Sequence, residues 1–287
     1  MKLCVRLVFF LCNFQIYEGL FPTLTSGKRT KKTKAGEVEY RDVADWKPVG
    51  AAYHTLSFGW ELDLSLRNSF DPCTLGDLVQ NTIAKELRNE LYFGQVPQDE
   101  DERIVAVSHG YAPVAKMALM SQQRSQQGGG GESELPPFSL DLGKRALPGR
   151  AFADPAMANT RSIRAARIPS FNAYGSARAL CDHVERSFSA LPRRVYKEMS
   201  RVHTTEQNGL LGNVYWGLGF QLVRGANLTA FVHHVLMGGI VVCIPQTGKT
   251  IVVLCSDLTV DRDLTKKVID VILEEEEKKE LADRLVP

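Results

Sequence analysis

Gly239-Ile-Val-Val-Cys-Ile-Pro-Gln-Thr-Gly-Lys-Thr-Ile-Val-Val-Leu254 is the stretch that decides the fold. Gly239 to Ile244 and Thr250 to Leu254 are short apolar runs rich in β-branched residues. Such runs favour strands, and Pro245-Gln-Thr-Gly-Lys249 between them is a short turn with a glycine, so an antiparallel hairpin is expected. Upstream, Val214 to Val223 is a third strand candidate.

Helical patterns flank these strands. Ala177, Leu180, Cys181, Val184 and Phe188 recur on one face of an expected helix, with Asn172 as its cap. A final helix is expected from about Arg262 to Leu285, with Glu274–Lys278 and Glu275–Lys279 as supporting pairs. Earlier, Thr74 reads as an N-cap with Asp77 three residues on, before an amphipathic helix bearing Leu75, Leu78, Val79, Ile83, Leu87 and Leu91. Helices, then an antiparallel sheet, then a helix give an α/β (α+β) class, the sheet flanked by helices. No internal repeat is visible.

Composition sets the outer bounds. The chain has 287 residues, 44% hydrophobic and 24% charged, which excludes wholesale disorder, collagen, a rod and a disulfide miniprotein. Net charge is +2, so no polyanionic partner is required. Lys144 to Arg201 holds twelve basic residues against four acidic ones, but lacks interleaved aromatics and a helical stripe. It reads as a solvated surface, and no nucleic-acid partner is expected. The six cysteines form no CxxC and no zinc-spaced cluster; Cys243 and Cys255 read as small core residues.

Two regions precede the main domain, residues 45–287, and one insertion interrupts it. Residues 1–20 open with Lys2 and Arg6 before the apolar run Leu7 to Phe14, too short to span a bilayer. That segment reads as a signal-like core without a clean cleavage site, as a buried strand or helix, or as a non-native start. Residues 21–44 include the basic loop Lys28 to Lys34. Residues 121–137 (SQQRSQQGGGGESELPP) form a low-complexity insertion. No segment has the length and apolarity of a membrane span.

Several familiar motifs fail on inspection. Thr247-Gly-Lys-Thr250 lacks the earlier glycine of a phosphate loop, that position being Cys243, and leads into a strand rather than a helix. No G-x-S-x-G or H-E-x-x-H is present. Asp99-Glu-Asp-Glu102 reads as a solvated acidic loop. No metal site and no cofactor are expected.

Four strings carry more information. They are Trp46-Lys-Pro-Val-Gly50 with Ala52-Tyr-His-Thr-Leu-Ser-Phe-Gly-Trp60, Pro169-Ser-Phe-Asn-Ala-Tyr-Gly-Ser-Ala-Arg-Ala-Leu180, Tyr215-Trp-Gly-Leu-Gly-Phe-Gln221, and His234-Val-Leu-Met-Gly-Gly239 with Ser256-Asp-Leu-Thr259. In this order and spacing the chain resembles the serine β-lactamase and penicillin-binding protein superfamily, closest to its class C-like, esterase-like branch of β-lactamase-related proteins. The resemblance runs from about Asp45 to the final helix. It implies a β-lactamase/transpeptidase-like antiparallel sheet flanked by helices, a helical second lobe, and a cleft between them that holds a small acyl substrate.

In that family S-x-x-K supplies the attacking serine and an activating lysine, because a free hydroxyl is a weak nucleophile. A Y-x-N-type motif supplies a tyrosine for proton transfer, and K-T-G or H-x-G lines the site where donors stabilise the tetrahedral intermediate. Tyr53 falls on the tyrosine motif, with Thr55 in place of Asn. His234 falls on the histidine, and Gly238 and Gly239 on the closing glycines, the substrate-binding part of the motif; Val235 and Leu236 replace the first glycine pair, and His233 offers a second register.

The nucleophile departs from the pattern. No serine has a lysine three positions on; Ser26 meets Arg29 and Ser121 meets Arg124. Only 52 residues precede Tyr53, and they do not read as the family's opening strands and catalytic helix. Ser176 is a substitute by position only, since it opens a helix. The chain as written is therefore expected to be an inactive or truncated relative, with part of the helical lobe missing. An active esterase or amidase whose start has been misassigned is the alternative.

Overall fold

The computed structural model describes residues 59–60, 63, 75–78, 81, 90–109, 155–209, 212–234, 239–258 and 263–285. The readings of residues 1–20, 21–44 and 121–137 lie outside the described residues, as do Tyr53 and Gly238. In chain order the elements are α1 (Leu75–Leu78), β1 (Leu91–Phe93), β2 (Ser108–His109), α2 (Arg161–Ala165), β3 (Ala173–Gly175), α3 (Ala177–Ser189) and α4 (Arg193–Met199). There follow β4 (Thr204–Gly209), β5 (Gly212–Trp216), β6 (Gln221–Arg224), β7 (Thr229–His234), β8 (Ile240–Ile244), β9 (Lys249–Val253), β10 (Asp257–Leu258), α5 (Asp263–Ile272) and α6 (Glu275–Leu285).

The centre is a six-stranded antiparallel meander in the order β4-β5-β6-β7-β8-β9. Alternation along each strand sends successive side chains to opposite faces. Val223, Ala230, Val232, Ile240, Val242 and Ile251 face one way, against Ile269 and Leu273 and against Leu281 and Leu285 of α6. Leu222, Phe231, Val241 and Cys243 face the other way, against Val184 of α3 and Met199 of α4. On that second face Phe188 tilts against Phe231 and Phe220 meets it edge to face, with ring centroids 4.8 and 5.8 Å away. The chain is thus a mixed α/β molecule whose antiparallel sheet is covered by helices on both faces.

The expected hairpin is β8–β9, with Ile244 opposite Lys249 and Ile240 opposite Val253. Its turn closes through Gly248, at φ +67, a conformation that favours glycine. Val214 to Val223 is not one strand but two. The main chain reverses at Gly217 to Phe220, where Gly217 N–H donates to the Phe220 carbonyl over 2.8 Å and Gly219 takes φ +78.

The single long C-terminal helix is also corrected: it breaks at Leu273-Glu274. Lys249 sits at the joint. Its Nζ donates to the Ile272 carbonyl, at the end of α5, over 3.3 Å, and to Glu277 Oε2, in the first turn of α6, over 2.5 Å. Glu277 reaches back to accept the Glu274 N–H over 2.9 Å, half of a capping box. Glu274 therefore turns toward Lys249 (3.6 Å), and Lys278 pairs with Glu275 three residues back rather than with Glu274.

A second tie fixes α6 to the sheet. The Glu280 carboxylate accepts from the main-chain N–H of Asn227 (2.8 Å) and Leu228 (3.0 Å) in the β6–β7 turn. A Cβ on Gly225 would lie 2.3 Å from Glu280 Oε2, so this turn admits only glycine without displacing that side chain.

Part of the basic stretch is consumed internally. Arg161 and Arg164 reach Asp101 at 3.1 and 3.5 Å, and Arg167 reaches Asp77 at 2.8 Å. Asp101, read as a solvated loop residue, is thus an anchor for α2. Among the described residues no helix is long and apolar enough to cross a membrane.

Candidate functional site

His234 ends β7 and stands opposite Ile240 at the start of β8. Gly239, buried, leads directly into β8. Strand alternation puts His233 on the other face, opposite Val241 and in line with Phe231. The two histidine registers therefore address opposite sides of the sheet, His234 toward the α5–α6 side and His233 toward the α3–α4 side. Burial lowers the His233 pKa to about 4, so its ring is neutral near neutral pH and brings no positive charge to a carboxylate. It can still serve as a neutral hydrogen-bonding group.

Two of the four strings meet in space. Gly59, from the string that contains Tyr53, donates its N–H to Ser170 Oγ over 2.8 Å. Ser170 belongs to the Pro169–Leu180 string, 111 residues away. A Cβ on Gly59 would lie 2.5 Å from both Pro169 Cβ and Ser170 Oγ, so the approach depends on glycine.

Asn172 does not cap α3. It is 1% exposed and organises the loop before β3 instead. Its Oδ1 accepts from the Ile168 N–H at 3.0 Å, while Nδ2 donates to the Ile163 and Ala166 carbonyls at 2.7 and 2.6 Å. Its own carbonyl accepts from Gly94 N–H at 2.9 Å. An amide that both donates and accepts suits this loop, whereas a helix cap needs only an acceptor.

Ser176 is the cap. Its Oγ accepts from the Ala179 N–H over 3.0 Å and donates to Glu90 Oε2 over 2.6 Å. The hydroxyl is committed in both directions to the start of α3. That geometry fits a structural role, as its helix-opening position suggested.

The Tyr215–Gln221 string is the β5–β6 turn rather than a ligand loop. A Cβ on Gly217 would meet the Met199 carbonyl at 2.3 Å, which explains the first glycine by packing alone. Thr247-Gly-Lys-Thr250 is the β8–β9 turn, with Lys249 spent on the α5–α6 joint.

The described cysteines, Cys181, Cys243 and Cys255, are free thiols. Cys243 is a core residue whose thiol burial pushes up to about 12; Cys255 is only half-buried, after β9. Among the described residues no group of three or more His, Cys, Asp or Glu side chains is placed to hold a metal ion.

Among the elements that sequence reading missed, β7 bears most directly on the site. No element is expected over Thr229 to His234 from the sequence, yet its alternation of Ala230 and Val232 against Phe231 and His233 is the signal of a central strand. No known protein family, no curated protein and no solved structure matches this chain.

Proposed function

We propose that this chain is a β-lactamase-related protein of the serine-hydrolase superfamily that binds a small acyl ligand and does not attack it. The observation that carries the reading is the Gly59–Ser170 contact, which joins two of the strings on which the resemblance rests. The antiparallel sheet with helices on both faces supports it further, as does the place of His234 and Gly239 at one end of adjacent central strands. In this reading His234, Gly238 and Gly239 bind the carbonyl or carboxylate of the ligand, and Tyr53 hydrogen-bonds it.

The absence of attack follows from the residues. No serine in the chain has a lysine three positions on, and the best-placed substitute, Ser176, gives its hydroxyl to Glu90 and to the α3 cap. Without an adjacent base a serine hydroxyl stays a poor nucleophile.

The test combines turnover and binding. Purified protein is incubated with a chromogenic cephalosporin and with p-nitrophenyl butyrate, and benzylpenicillin is titrated in a thermal-shift assay. No turnover, a rise in melting temperature with benzylpenicillin, and loss of that rise in His234→Ala are expected. Turnover that vanishes in Tyr53→Phe, or a fluorophosphonate adduct on any serine, would establish an active hydrolase instead. A flat titration with no turnover would remove the acyl-ligand reading.

A further inference from the structure

We propose that Gln221 selects among acyl ligands, its side-chain carbonyl accepting a hydrogen bond from an N–H on the carbon next to the acyl carbonyl. The inference rests on the acyl-ligand reading of His234 and Gly239, and it adds a third strand to that site. Gln221 opens β6, the neighbour of β7 in the sheet.

Register puts Gln221 in one row that crosses the sheet. Thr204, Trp216, Gln221, Val232, Val242 and Ile251 stand opposite one another in turn, one on each strand from β4 to β9. Residues opposite one another share a face, so the row lies on the α5–α6 side, where Val232, Val242 and Ile251 belong to the apolar layer. His234 stands two residues beyond Val232, on the same face. Gln221 and His234 are therefore diagonal neighbours on adjacent strands, about 7–8 Å apart.

The state of the amide points to a ligand. Gln221 is 3% exposed, and its Oε1 is buried with no hydrogen-bond partner. A buried acceptor without a donor is costly. Methionine would fill the same place in the row without that cost, so packing alone does not account for the glutamine. Val232, opposite it on β7, carries no donor. The unpaired oxygen belongs to the diagonal neighbour of the residue that this reading gives to the acyl carbonyl. A ligand held by His234 brings its own groups within reach of that oxygen.

The chemistry of the amide sets the ligand class. A side-chain carbonyl accepts and does not donate, so it calls for a donor on the ligand. An amide N–H one carbon from the acyl carbonyl supplies it. A plain ester or acid without such a group leaves Oε1 as it stands in the ligand-free protein. The difference is one hydrogen bond, about tenfold in affinity.

Isothermal titration calorimetry on the full chain compares two probes. Benzylpenicillin carries an amide N–H on the carbon next to its ring carbonyl, and penicillanic acid has only hydrogen there. Wild type should bind benzylpenicillin about tenfold more tightly than penicillanic acid. Gln221→Met should weaken benzylpenicillin about tenfold and leave penicillanic acid within about twofold. The ligand-free variant should melt at the wild-type temperature or above, since an apolar side chain replaces an unpaired acceptor. Equal binding of the two probes by wild type, a preference that survives in Gln221→Met, or equal weakening of both probes would overturn the assignment and leave the acyl-ligand reading standing. A clearly lower melting temperature in the variant would do the same, because it would show that the oxygen already has a partner in the ligand-free protein. Wild type that binds neither probe would overturn both.

Discussion

Glu277→Gln tests whether the α5–α6 joint is an electrostatic construction. The Glu277 side chain is 4% exposed, and its carboxylate meets the Lys249 ammonium at 2.5 Å. Removing one partner of a buried pair costs about 3–5 kcal/mol. Two features reduce that cost here. Lys249 is 20% exposed and keeps the Ile272 carbonyl as an acceptor, and glutamine keeps an oxygen for the Glu274 N–H. About 2 kcal/mol at neutral pH is the expected loss. Urea unfolding measures it, with the m-value unchanged if only stability moves.

The pH dependence gives the sharper reading. Burial pushes the Glu277 carboxyl upward, but the Lys249 hydrogen bond, the Glu274 N–H and the Thr247 hydroxyl outweigh it and hold the group below its ordinary value. Its contribution is therefore present above the unfolded carboxyl pKa of about 4.3 and is lost as pH falls through the lower folded value. Lys249 is raised, chiefly by its hydrogen bond to Glu277, so its contribution is lost only as pH climbs through that raised value. The gap between wild type and variant should be widest at neutral pH and close at both extremes. A gap under about 0.5 kcal/mol at neutral pH, or one that persists unchanged in acid, would refute the assignment.

Three further outcomes follow from the site and its surroundings. Asn172→Ala strips the partners from two carbonyls and one N–H in a buried loop and should lower stability by about 3 kcal/mol in chemical denaturation; Asn172→Asp should fare no better, because its oxygen would face the Ile163 and Ala166 carbonyls. Ser176→Ala should cost about 1 kcal/mol and Ser176→Gly a few tenths, with benzylpenicillin binding unchanged in both, whereas a catalytic serine would show itself in activity. His233, whose folded pKa is about 4, resists the proton that the unfolded chain takes up near about 6.5, so stability should fall by about 3 kcal/mol as pH drops between those values, and His233→Leu should flatten that slope in thermal melts across pH.

The sheet's hairpin was legible because one turn glycine separates two β-branched runs, and tertiary structure had nothing to override. Its neighbour misled for a related reason. Val214 to Val223 looks like one apolar run until Gly217 and Gly219 are taken as a turn, and the positive φ at Gly219 is the physical demand behind the second glycine. The final helix misled because four consecutive glutamates and two lysines satisfy helix propensity everywhere. What breaks it is Lys249, distant in sequence, whose ammonium serves the end of one helix and the start of the next.

At the candidate site, sequence proposed His234 and Gly239 with His233 as a second register, but without β7 it could not say which side of the sheet each histidine faces. Asn172 was expected as the cap of α3, but Ser176 fills that place, because both residue types cap helices. The choice between them turned on which one had two buried carbonyls to satisfy.

The arrangement of the α5–α6 side has a consequence for biosynthesis. Strands β6 to β9 leave the ribosome before the helices that shield them, and some thirty residues separate Val253 from Leu285. At ordinary elongation rates those residues take roughly two to six seconds to make. Until those residues are in place, Ile240, Val242, Ile244 and Ile251 lack the layer that covers them in the finished fold. A purified chain truncated after Val253 should therefore bind a hydrophobic dye that the finished protein ignores.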